Sequence, residues 1–227
     1  MHSGTGILTD IYLNGRSAAR VRCEPGLVPA PGQYVLARAV HLPDAPLALP
    51  VFSAGACPGG FYAAAPIPED WLPGTQLDIR GPLGKGFQLA PGARFIALAA
   101  LGGSSSRLLA LAEPALAQNA AVVLLADPAP QGLPAAIEIS PLSALPETLR
   151  WADLLLVDTP RALLPALLKT VADTRYARDG RVLIGTPLSC GGLADCGACA
   201  VTLRKGYNLA CKDGPVFDLR GLMEGER

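Results

Sequence analysis

The sequence contains little of what most enzymes use for acid–base and nucleophilic chemistry. Only two histidines, His2 and His41, occur among its 227 residues. A Ser-His-Asp triad or a metal site built on histidine therefore has few candidates. We predict no catalytic acid, base or nucleophile in this chain.

Charge is also scarce, and it is balanced. Charged residues make up 17% of the chain, and 19 basic residues stand against 19 acidic ones, so the formal net charge is zero. A neutral chain lacks the basic surface that binds nucleic acid or an anionic membrane. Low net charge also limits solubility, which favours a subunit that buries part of its surface in a complex.

Long hydrophobic runs are missing as well. The longest, residues 95–101 and 154–157, fall well short of the ~20 residues that a membrane span needs. The first residues show no basic stretch followed by an apolar one, so we expect no signal peptide and a cytoplasmic location. In that compartment the six cysteines are expected to be thiols or metal ligands rather than disulfides.

Residues 1–90 contain short alternating segments separated by turn pairs such as Asn14-Gly15 and Pro31-Gly32. Several short strands at close spacing predict a small antiparallel β-barrel. The six predicted strands are 6–13, 18–23, 33–39, 47–53, 60–65 and 76–80.

Residues 91–180 have a different pattern, in which continuous apolar runs predict strands covered on both faces. Helical patterns follow at 106–116 and 161–174, and the second shows an apolar stripe at 3.6-residue spacing, with Pro165 marking where its regular part begins. This order predicts a doubly wound α/β domain. Residues 128–146, rich in proline, alanine and serine, are predicted to be an irregular connection. The three predicted strands are 94–100, 120–126 and 152–157.

Residues 181–227 form a cysteine-rich tail. Cys190, Cys196 and Cys199 fall within ten residues, and Cys211 follows twelve positions later. A 2Fe–2S cluster needs four thiolates, two for each iron. The glycines between these cysteines allow a loop to turn its backbone N–H groups toward the sulfurs. The tail therefore predicts a 2Fe–2S site on these four cysteines.

Two alternatives use the same residues. A structural zinc site also takes four thiolates, although zinc ribbons pair two C-x2-C knuckles and this tail has one. Disulfides are the other alternative, against which the expected compartment argues. Cys23 and Cys57 lie in the predicted barrel and have no cysteine near them in the sequence, so we interpret them as buried or incidental thiols.

Four motifs occur in a familiar order along essentially the whole chain. They are Pro-Gly-Gln-Tyr-Val at 31–35, Gly-Pro-Leu-Gly-Lys-Gly-Phe at 81–87, the cysteine tail, and Cys-Lys-Asp-Gly-Pro-Val-Phe at 211–217. The chain resembles the electron transfer subunit of type B dihydroorotate dehydrogenase, within the ferredoxin reductase-like superfamily. The 81–87 loop on its own predicts a turn that closes the barrel onto the second domain.

The resemblance implies three parts: a flavin-binding-type barrel at 1–90, a nucleotide-binding-type α/β domain at 91–180, and a 2Fe–2S domain at 181–227. Such a subunit holds FAD and the cluster, exchanges electrons with NAD(H), and serves a catalytic flavoprotein subunit in pyrimidine biosynthesis. By resemblance the cluster ligands are Cys190, Cys196, Cys199 and Cys211. The chain would be an oxidoreductase subunit rather than a stand-alone enzyme.

This chain departs from the family pattern at the cluster loop and the flavin strand. Five residues separate its first two cysteines where the family has four. The family arginine that neutralises the FAD pyrophosphate is replaced by Pro50, and the nearest basic residues in the sequence are Arg38 and Arg80. Phe52 and Ser53 remain as candidates to face a flavin ring, beside their interpretation as an ordinary strand.

The nicotinamide site departs further. The family's glycine-rich turn is reduced to Gly102 and Gly103 followed by serines, which favours simple capping of the next helix over binding of a nucleotide. The family's Cys-Gly-Pro is replaced by residues 157–160, Val-Asp-Thr-Pro, and we predict that Asp158 and Thr159 cap the helix that follows.

Three hypotheses follow for the function. The first is the electron-transfer subunit of a dihydroorotate dehydrogenase-like complex, either with FAD and NAD(H) sites or with one or both of them lost. The second is a cluster-bearing adaptor of a different oxidoreductase, since a fold does not set its partner. The third is an interaction protein with a structural zinc and no redox role.

Overall fold

The computed structural model describes residues 2–11, 19–41, 47–102, 105–130, 133–203 and 206–223. Within those ranges no helix is long and apolar enough to cross a membrane. The predicted strand 6–13 extends beyond them, as do the turn Asn14-Gly15 and the candidate Gly103.

The first six strands close into an antiparallel barrel, as predicted, in the order β1-β2-β5-β4-β3-β6. Alternation produces this arrangement: in β6, Leu77 and Ile79 point into the barrel while Gln76 and Asp78 face solvent. A separate apolar core fills the barrel, with Phe61 and Trp71 as its largest members. The strands are β1 (His2–Ile11), β2 (Ala19–Cys23), β3 (Tyr34–Ala39), β4 (Leu49–Cys57), β5 (Gly60–Ala63) and β6 (Gln76–Leu83).

A second sheet of six strands follows, in the order β14-β11-β10-β7-β8-β9. Its central strands are parallel and buried, which is what their continuous apolar runs predict. The strands are β7 (Phe95–Ala100), β8 (Ala121–Ala126), β9 (Ile137–Ser140), β10 (Leu154–Pro160), β11 (Asp179–Gly185) and β14 (Val216–Asp218). The doubly wound α/β prediction is confirmed.

The predicted helix 106–116 is two short helices, α1 (Ser106–Leu109) and α2 (Ala112–Ala117). Pro114 explains the break, because a proline is tolerated only in the first turn of a helix and therefore requires a new start just before it. The second predicted helix is a 3₁₀ turn, Arg161–Leu163, followed by α4 (Leu164–Asp173).

Two predictions about this sheet need correction. Residues 128–146, expected to be irregular, contain β9 and the helix α3 (Leu145–Thr148). β9 is an edge strand of four residues, Ile-Glu-Ile-Ser, in which only Ile137 is buried, so its alternation is too short to stand out from the proline-rich residues around it. The strand β11 was not expected either, since its apolar core of three residues, Val182 to Ile184, is short.

The C-terminal segment packs on the α/β sheet. Its elements are β12 (Ala200–Thr202), β13 (Tyr207–Leu209), α5 (Ala210–Asp213), β14 and α6 (Leu219–Met223). β12 and β13 form a hairpin, and β14 adds an antiparallel edge strand next to β11. Buried Cys199 and Cys211 share a hydrophobic core with α4, so this segment relies on the α/β layer for its packing. The boundaries at 90 and 180 stay predictions.

Candidate metal centre

The four tail cysteines come together as two pairs. The sulfurs of Cys199 and Cys211 lie 3.3 Å apart and are buried. Cys190 is half-buried and hydrogen-bonds the exposed Cys196. Electrostatic interaction between Cys190 and Cys211 links the two pairs. The two pairs are therefore neighbours in space, although 21 positions separate Cys190 from Cys211 in the sequence.

The pairing suits two metal ions better than one. Across the described ranges, no three or more histidine, cysteine, aspartate or glutamate side chains lie close enough together to hold a metal ion, so the two cysteine pairs are neighbours but do not form a closed ligand set. A structural zinc needs four ligands converging on one point. A 2Fe–2S cluster instead takes two thiolates on each of its irons, which the two pairs match. The chemistry of the donors therefore fits such a cluster.

The loop after Cys190 wraps around its sulfur. Backbone N–H groups of Asp195 and Cys196 hydrogen-bond the Cys190 sulfur, and they lower the pKa of its thiol to about 6. The loop makes this turn through left-handed backbone at Gly191, at Gly192, and at Ala194, whose φ is 62°. Such N–H groups stabilise a metal-bound thiolate. At Cys211, burial raises the pKa to about 11, with the hydrogen bond to Cys199 as the next cause.

Donors from outside the segment bind carbonyl groups beside three of the cysteines. Arg80 of β6 donates to the carbonyl of Gly191. Arg161 donates to the carbonyls of Ala198 and Ala200, at 3.0 Å each, on both sides of Cys199. The hydroxyl of Tyr34 donates to the carbonyl of Cys211 at 3.4 Å. None of these three donors was predicted from the sequence, and only Tyr34, inside the motif at 31–35, lies in a recognisable pattern.

The loop at 81–87 docks the C-terminal segment onto the barrel. The Lys85 N–H donates to the Gly214 carbonyl at 2.5 Å, and Gln33 donates through its side chain to the Gly84 carbonyl at 3.0 Å. A Cβ at Gly84 would lie 2.6 Å from the ring of Pro215. The loop also contacts the α/β layer, as expected of a turn that closes the barrel onto the second domain, because Phe87 shares a buried core with Ile96 and Leu98.

A cleft of about 530 Å³ separates the barrel from the α/β layer and reaches the C-terminal segment at Ala210 and Pro215. Aromatic Tyr34 and Phe52 line its barrel side, with their ring centroids 5.5 Å apart. Its charged lining residues in the described ranges are Arg107 and Asp158. A cleft of this size with an aromatic wall is typical of a site for a planar cofactor.

Among the described residues that line the cleft, Arg107 is the one cation, and it is already engaged. The guanidinium of Arg107 lies 3.4 Å from the Asp158 carboxylate and 4.3 Å above the Phe52 ring. Burial raises the pKa of Asp158 to about 6, and the charge of Arg107 opposes that rise. Arg107 is far from Pro50 in the sequence yet lines the same cleft, so it is a nearby basic residue that the sequence did not indicate.

The candidate flavin residues are largely covered. Phe52 is buried beneath Arg107, and Ser53 is 1% exposed and accepts a hydrogen bond from the Gly55 N–H at 3.1 Å. The cleft therefore fits a flavin ring only in part. A pyrophosphate would find no unpaired cation among the described lining residues. Whether Phe52 and Ser53 contact a cofactor stays a prediction.

The candidate nicotinamide residues give a similar picture. Gly102 has a φ of 67°, and a Cβ at this position would lie 2.6 Å from the Leu163 side chain. Close packing thus accounts for this glycine without a nucleotide. The expected caps on the helix at 161–174 do not form. The N-cap positions of the 3₁₀ turn and of α4 are Pro160 and Leu163, and no side chain makes a capping hydrogen bond at either start. Asp158 pairs with Arg107 instead.

Cys23 and Cys57 are free and half-buried. Burial raises the pKa of Cys23 to about 11, and the charge of Cys57 is the next cause. Although neither has a cysteine near it in the sequence, the two residues are neighbours in space. They meet because β5 pairs with both β2 and β4, which brings the ends of those two strands together.

Residues 189–223 match the model of the iron–sulfur cluster binding domain of dihydroorotate dehydrogenase B. All four paired cysteines lie inside this match. No curated protein sequence matches the chain significantly.

Solved structures extend the comparison to the rest of the fold. An NADH-dependent reduced ferredoxin-NADP oxidoreductase aligns with a TM-score of 0.71 at 16% identity, over 96% of this chain and 89% of its own. A ferredoxin reductase of carbazole 1,9a-dioxygenase aligns with a TM-score of 0.60 at 17% identity, over 78% of this chain and 65% of its own. The FAD/NAD binding domain of a nitric oxide dioxygenase from Vibrio cholerae aligns with a TM-score of 0.54 at 12% identity, over 81% of this chain and 98% of its own.

The fold is thus that of the ferredoxin reductase-like proteins, and the C-terminal segment is similar to an iron–sulfur cluster binding domain. Together, these findings confirm the resemblance to the electron transfer subunit of type B dihydroorotate dehydrogenase.

Proposed function

We propose that this chain holds a 2Fe–2S cluster on Cys190, Cys196, Cys199 and Cys211 and relays single electrons to a catalytic dihydroorotate dehydrogenase-like subunit in pyrimidine biosynthesis. The observation that carries the proposal is the meeting of these four cysteines as two pairs within the matched cluster-binding segment. When bound, the cluster supplies reversible one-electron transfer. The protein itself provides thiolates, backbone N–H groups and a shape that holds them.

The burial of the cysteines supports a path for the electrons through the cluster. Cys199 and Cys211 face the protein interior, and Ala210, next to Cys211, lines the cleft. Cys196 is exposed at the opposite, solvent-facing pair. Electrons would therefore pass between a donor in the cleft and an acceptor docked over Cys190 and Cys196. We propose FAD, reduced by NAD(H), as that donor, with Phe52 and Ser53 facing the flavin and with Gly102 and Gly103 near the nicotinamide.

A second candidate is a cluster-bearing adaptor of another oxidoreductase that has lost its nucleotide sites. One observation favours it: Arg107, the cation of the cleft, is paired with Asp158 and stacked on Phe52. In this version the chain binds no flavin of its own, and the partner delivers the electron to the cluster. For both versions we propose the cytoplasm, because all six cysteines are free and reducing conditions keep them so.

An anaerobic visible spectrum before and after dithionite, combined with metal and sulfide analysis, tests the cluster. We expect broad absorption that bleaches on reduction, with two irons and two sulfides per chain. A colourless protein that carries one zinc would contradict the proposal and leave the zinc-binding alternative.

Added FAD separates the two candidates. The first candidate predicts that FAD fluorescence is quenched in a saturable manner, and that NADH then bleaches the cluster. The adaptor predicts a cluster that dithionite reduces but no saturable binding of FAD. Copurification with a catalytic flavoprotein subunit, whose substrate is then assayed, identifies the partner.

A further inference from the structure

The cluster-binding segment has little structure of its own. Its secondary structure up to Cys211 is a hairpin of two strands with three residues each, β12 and β13, and the start of α5. A segment this small does not bury enough apolar surface to fix a loop geometry. Something outside it must therefore hold the ligand positions when no metal is bound.

Two arginines from different parts of the fold provide that hold. Arg80, on barrel strand β6, is half-buried and donates to the carbonyl of Gly191, the residue after Cys190. Arg161, in the 3₁₀ turn before α4, is exposed and donates to the carbonyls of Ala198 and Ala200, which flank Cys199. Each cysteine pair is thus tied at the backbone beside one of its members.

The guanidinium of Arg80 also places a positive charge near the cysteine loop. A Cβ at Gly192 would be 3.5 Å from the Tyr34 hydroxyl and 3.9 Å from an Arg80 guanidinium nitrogen. Tyr34 interacts electrostatically with Arg80 and with Cys190, Cys199 and Cys211. One buried hydroxyl therefore borders both the arginine and the cysteines. A cation beside the loop that follows Cys190 acts on any charge that is added to the cluster.

We propose that Arg80 and Arg161 are positioning residues that fix the two ligand loops through their carbonyl groups and raise the reduction potential of the cluster. This inference rests on the proposed function, because it requires the cluster to bind. Reduction adds one negative charge, which a neighbouring cation stabilises relative to the oxidised form. The half-buried Arg80 has the larger effect, since solvent and salt screen the exposed Arg161.

The test is a dye-mediated redox titration of the full chain with its cluster, in five variants. Arg80→Gln removes the charge and keeps an amide donor, Arg80→Lys keeps the charge, and Arg161→Gln removes the second charge. We expect a lower midpoint potential in Arg80→Gln, a value closer to wild type in Arg80→Lys, and a smaller decrease in Arg161→Gln that vanishes at high salt. The EPR spectrum of the reduced cluster changes in Arg80→Gln.

The remaining two variants are matched controls. Arg38→Gln removes another barrel arginine, whose contact is Asp78 at 2.9 Å. Arg178→Gln removes an arginine that donates to the Ala152 carbonyl at 2.8 Å, away from the cysteines. Both should keep the wild-type potential and spectrum. Unchanged potentials and spectra in Arg80→Gln and Arg161→Gln would overturn the inference.

Two other outcomes, loss of folding in a variant and failure of the proposed function, can be distinguished from unchanged potentials and spectra in the test variants. If Arg80→Gln binds no cluster, Arg161→Gln carries the test, and a wild-type potential at low salt together with wild-type hydrogen exchange at residues 190–199 in that variant would overturn the inference. If wild type itself binds no cluster, the proposed function fails, and with it the inference. If wild type binds a cluster, and Arg80→Gln and Arg161→Gln keep its potential and spectrum, the proposed function stands and the inference alone fails.

Discussion

The guanidinium of Arg107 lies 4.3 Å above the centroid of the Phe52 ring and so joins the α/β layer to the barrel. The same guanidinium pairs with Asp158 at 3.4 Å, where the two side chains are 22% and 8% exposed. Arg107 thus closes the cleft from one side and neutralises its buried carboxylate. The contact between Arg107 and Phe52 stabilises the folded state, since a desolvated cation–π pair contributes about 2 kcal/mol.

Replacing Arg107 by Met should destabilise the protein. The change keeps an apolar side chain over Phe52 but leaves Asp158 buried without its partner, so we expect a loss of about 1–3 kcal/mol in the free energy of unfolding. Urea unfolding at pH 7.5 measures it. Adding Asp158→Asn to the same chain should restore part of the loss, because the unpaired charge is then gone.

The matched control for that experiment is Arg38→Met. Arg38 pairs with Asp78, but both side chains are about half exposed. Such a pair contributes at most about 1 kcal/mol. Equal losses of unfolding free energy in the Arg107 and Arg38 variants would show that the burial of Asp158 adds nothing to the effect of the Arg107 substitution.

The buried Asp158 predicts a pH-dependent stability. Its pKa is raised from 3.8 to about 6 by burial, so between those values the folded protein binds more protons than the unfolded chain. Stability from this group is therefore present at pH 4 and is lost as the pH rises to 7, by roughly 3 kcal/mol at most. Asp158→Asn lacks this titration, so wild type should lose stability relative to it between pH 4.5 and 7.5 in urea unfolding. A pH-independent difference between the two proteins would contradict the expectation.

The sequence predicted the fold well where a pattern is repeated. Period-two alternation in strands such as β6 and continuous apolar runs such as β8 identified the barrel and the parallel sheet. It failed at β9, which is an exposed edge, and at the break before Ala112, where one proline outweighs a helical stripe. Edge strands and short helices depend on packing that no local pattern records.

The candidate site likewise contains residues that the sequence predicted and residues that it did not. Cysteine spacing indicated the four sulfurs that meet in space, because a loop holding a cluster must carry its ligands close together in sequence. Arg80, Arg107 and Arg161 were not found, since they reach the site or the cleft from distant elements. Isolated arginines have no periodicity, and their role follows only from the tertiary structure.

Replacing Cys196 by Ser should remove the cluster while the barrel stays folded. Cys196 is exposed and contributes little to packing, but a serine hydroxyl is a poorer ligand than a thiolate. We expect a visible absorbance at least several-fold lower per chain, with far-UV circular dichroism unchanged. Cys57→Ser is the control, since Cys57 is half-buried in the barrel away from the tail. An unchanged visible spectrum in Cys196→Ser would exclude Cys196 from the ligand set.

Gly84 shows how tightly the barrel holds the cysteine segment, and an alanine there should loosen it. Its φ is 77°, and a Cβ would lie 2.6 Å from the Pro215 ring and 2.8 Å from the Gly214 carbonyl. Left-handed backbone costs an alanine roughly 1 kcal/mol, and the collision adds to this because backbone cannot move aside cheaply. We expect faster hydrogen exchange at residues 206–218 and reduced cluster loading.

Gly74→Ala separates the two causes. Gly74 has a φ of 94°, and a Cβ there meets nothing within 4 Å, so this variant carries the backbone strain without the collision. It should lose about 1 kcal/mol of unfolding free energy and keep full cluster loading. If Gly84→Ala loses no more stability or iron than Gly74→Ala, the 81–87 loop does not anchor the cluster-binding segment. If it loses both, the motif owes its sequence to docking rather than to phosphate binding.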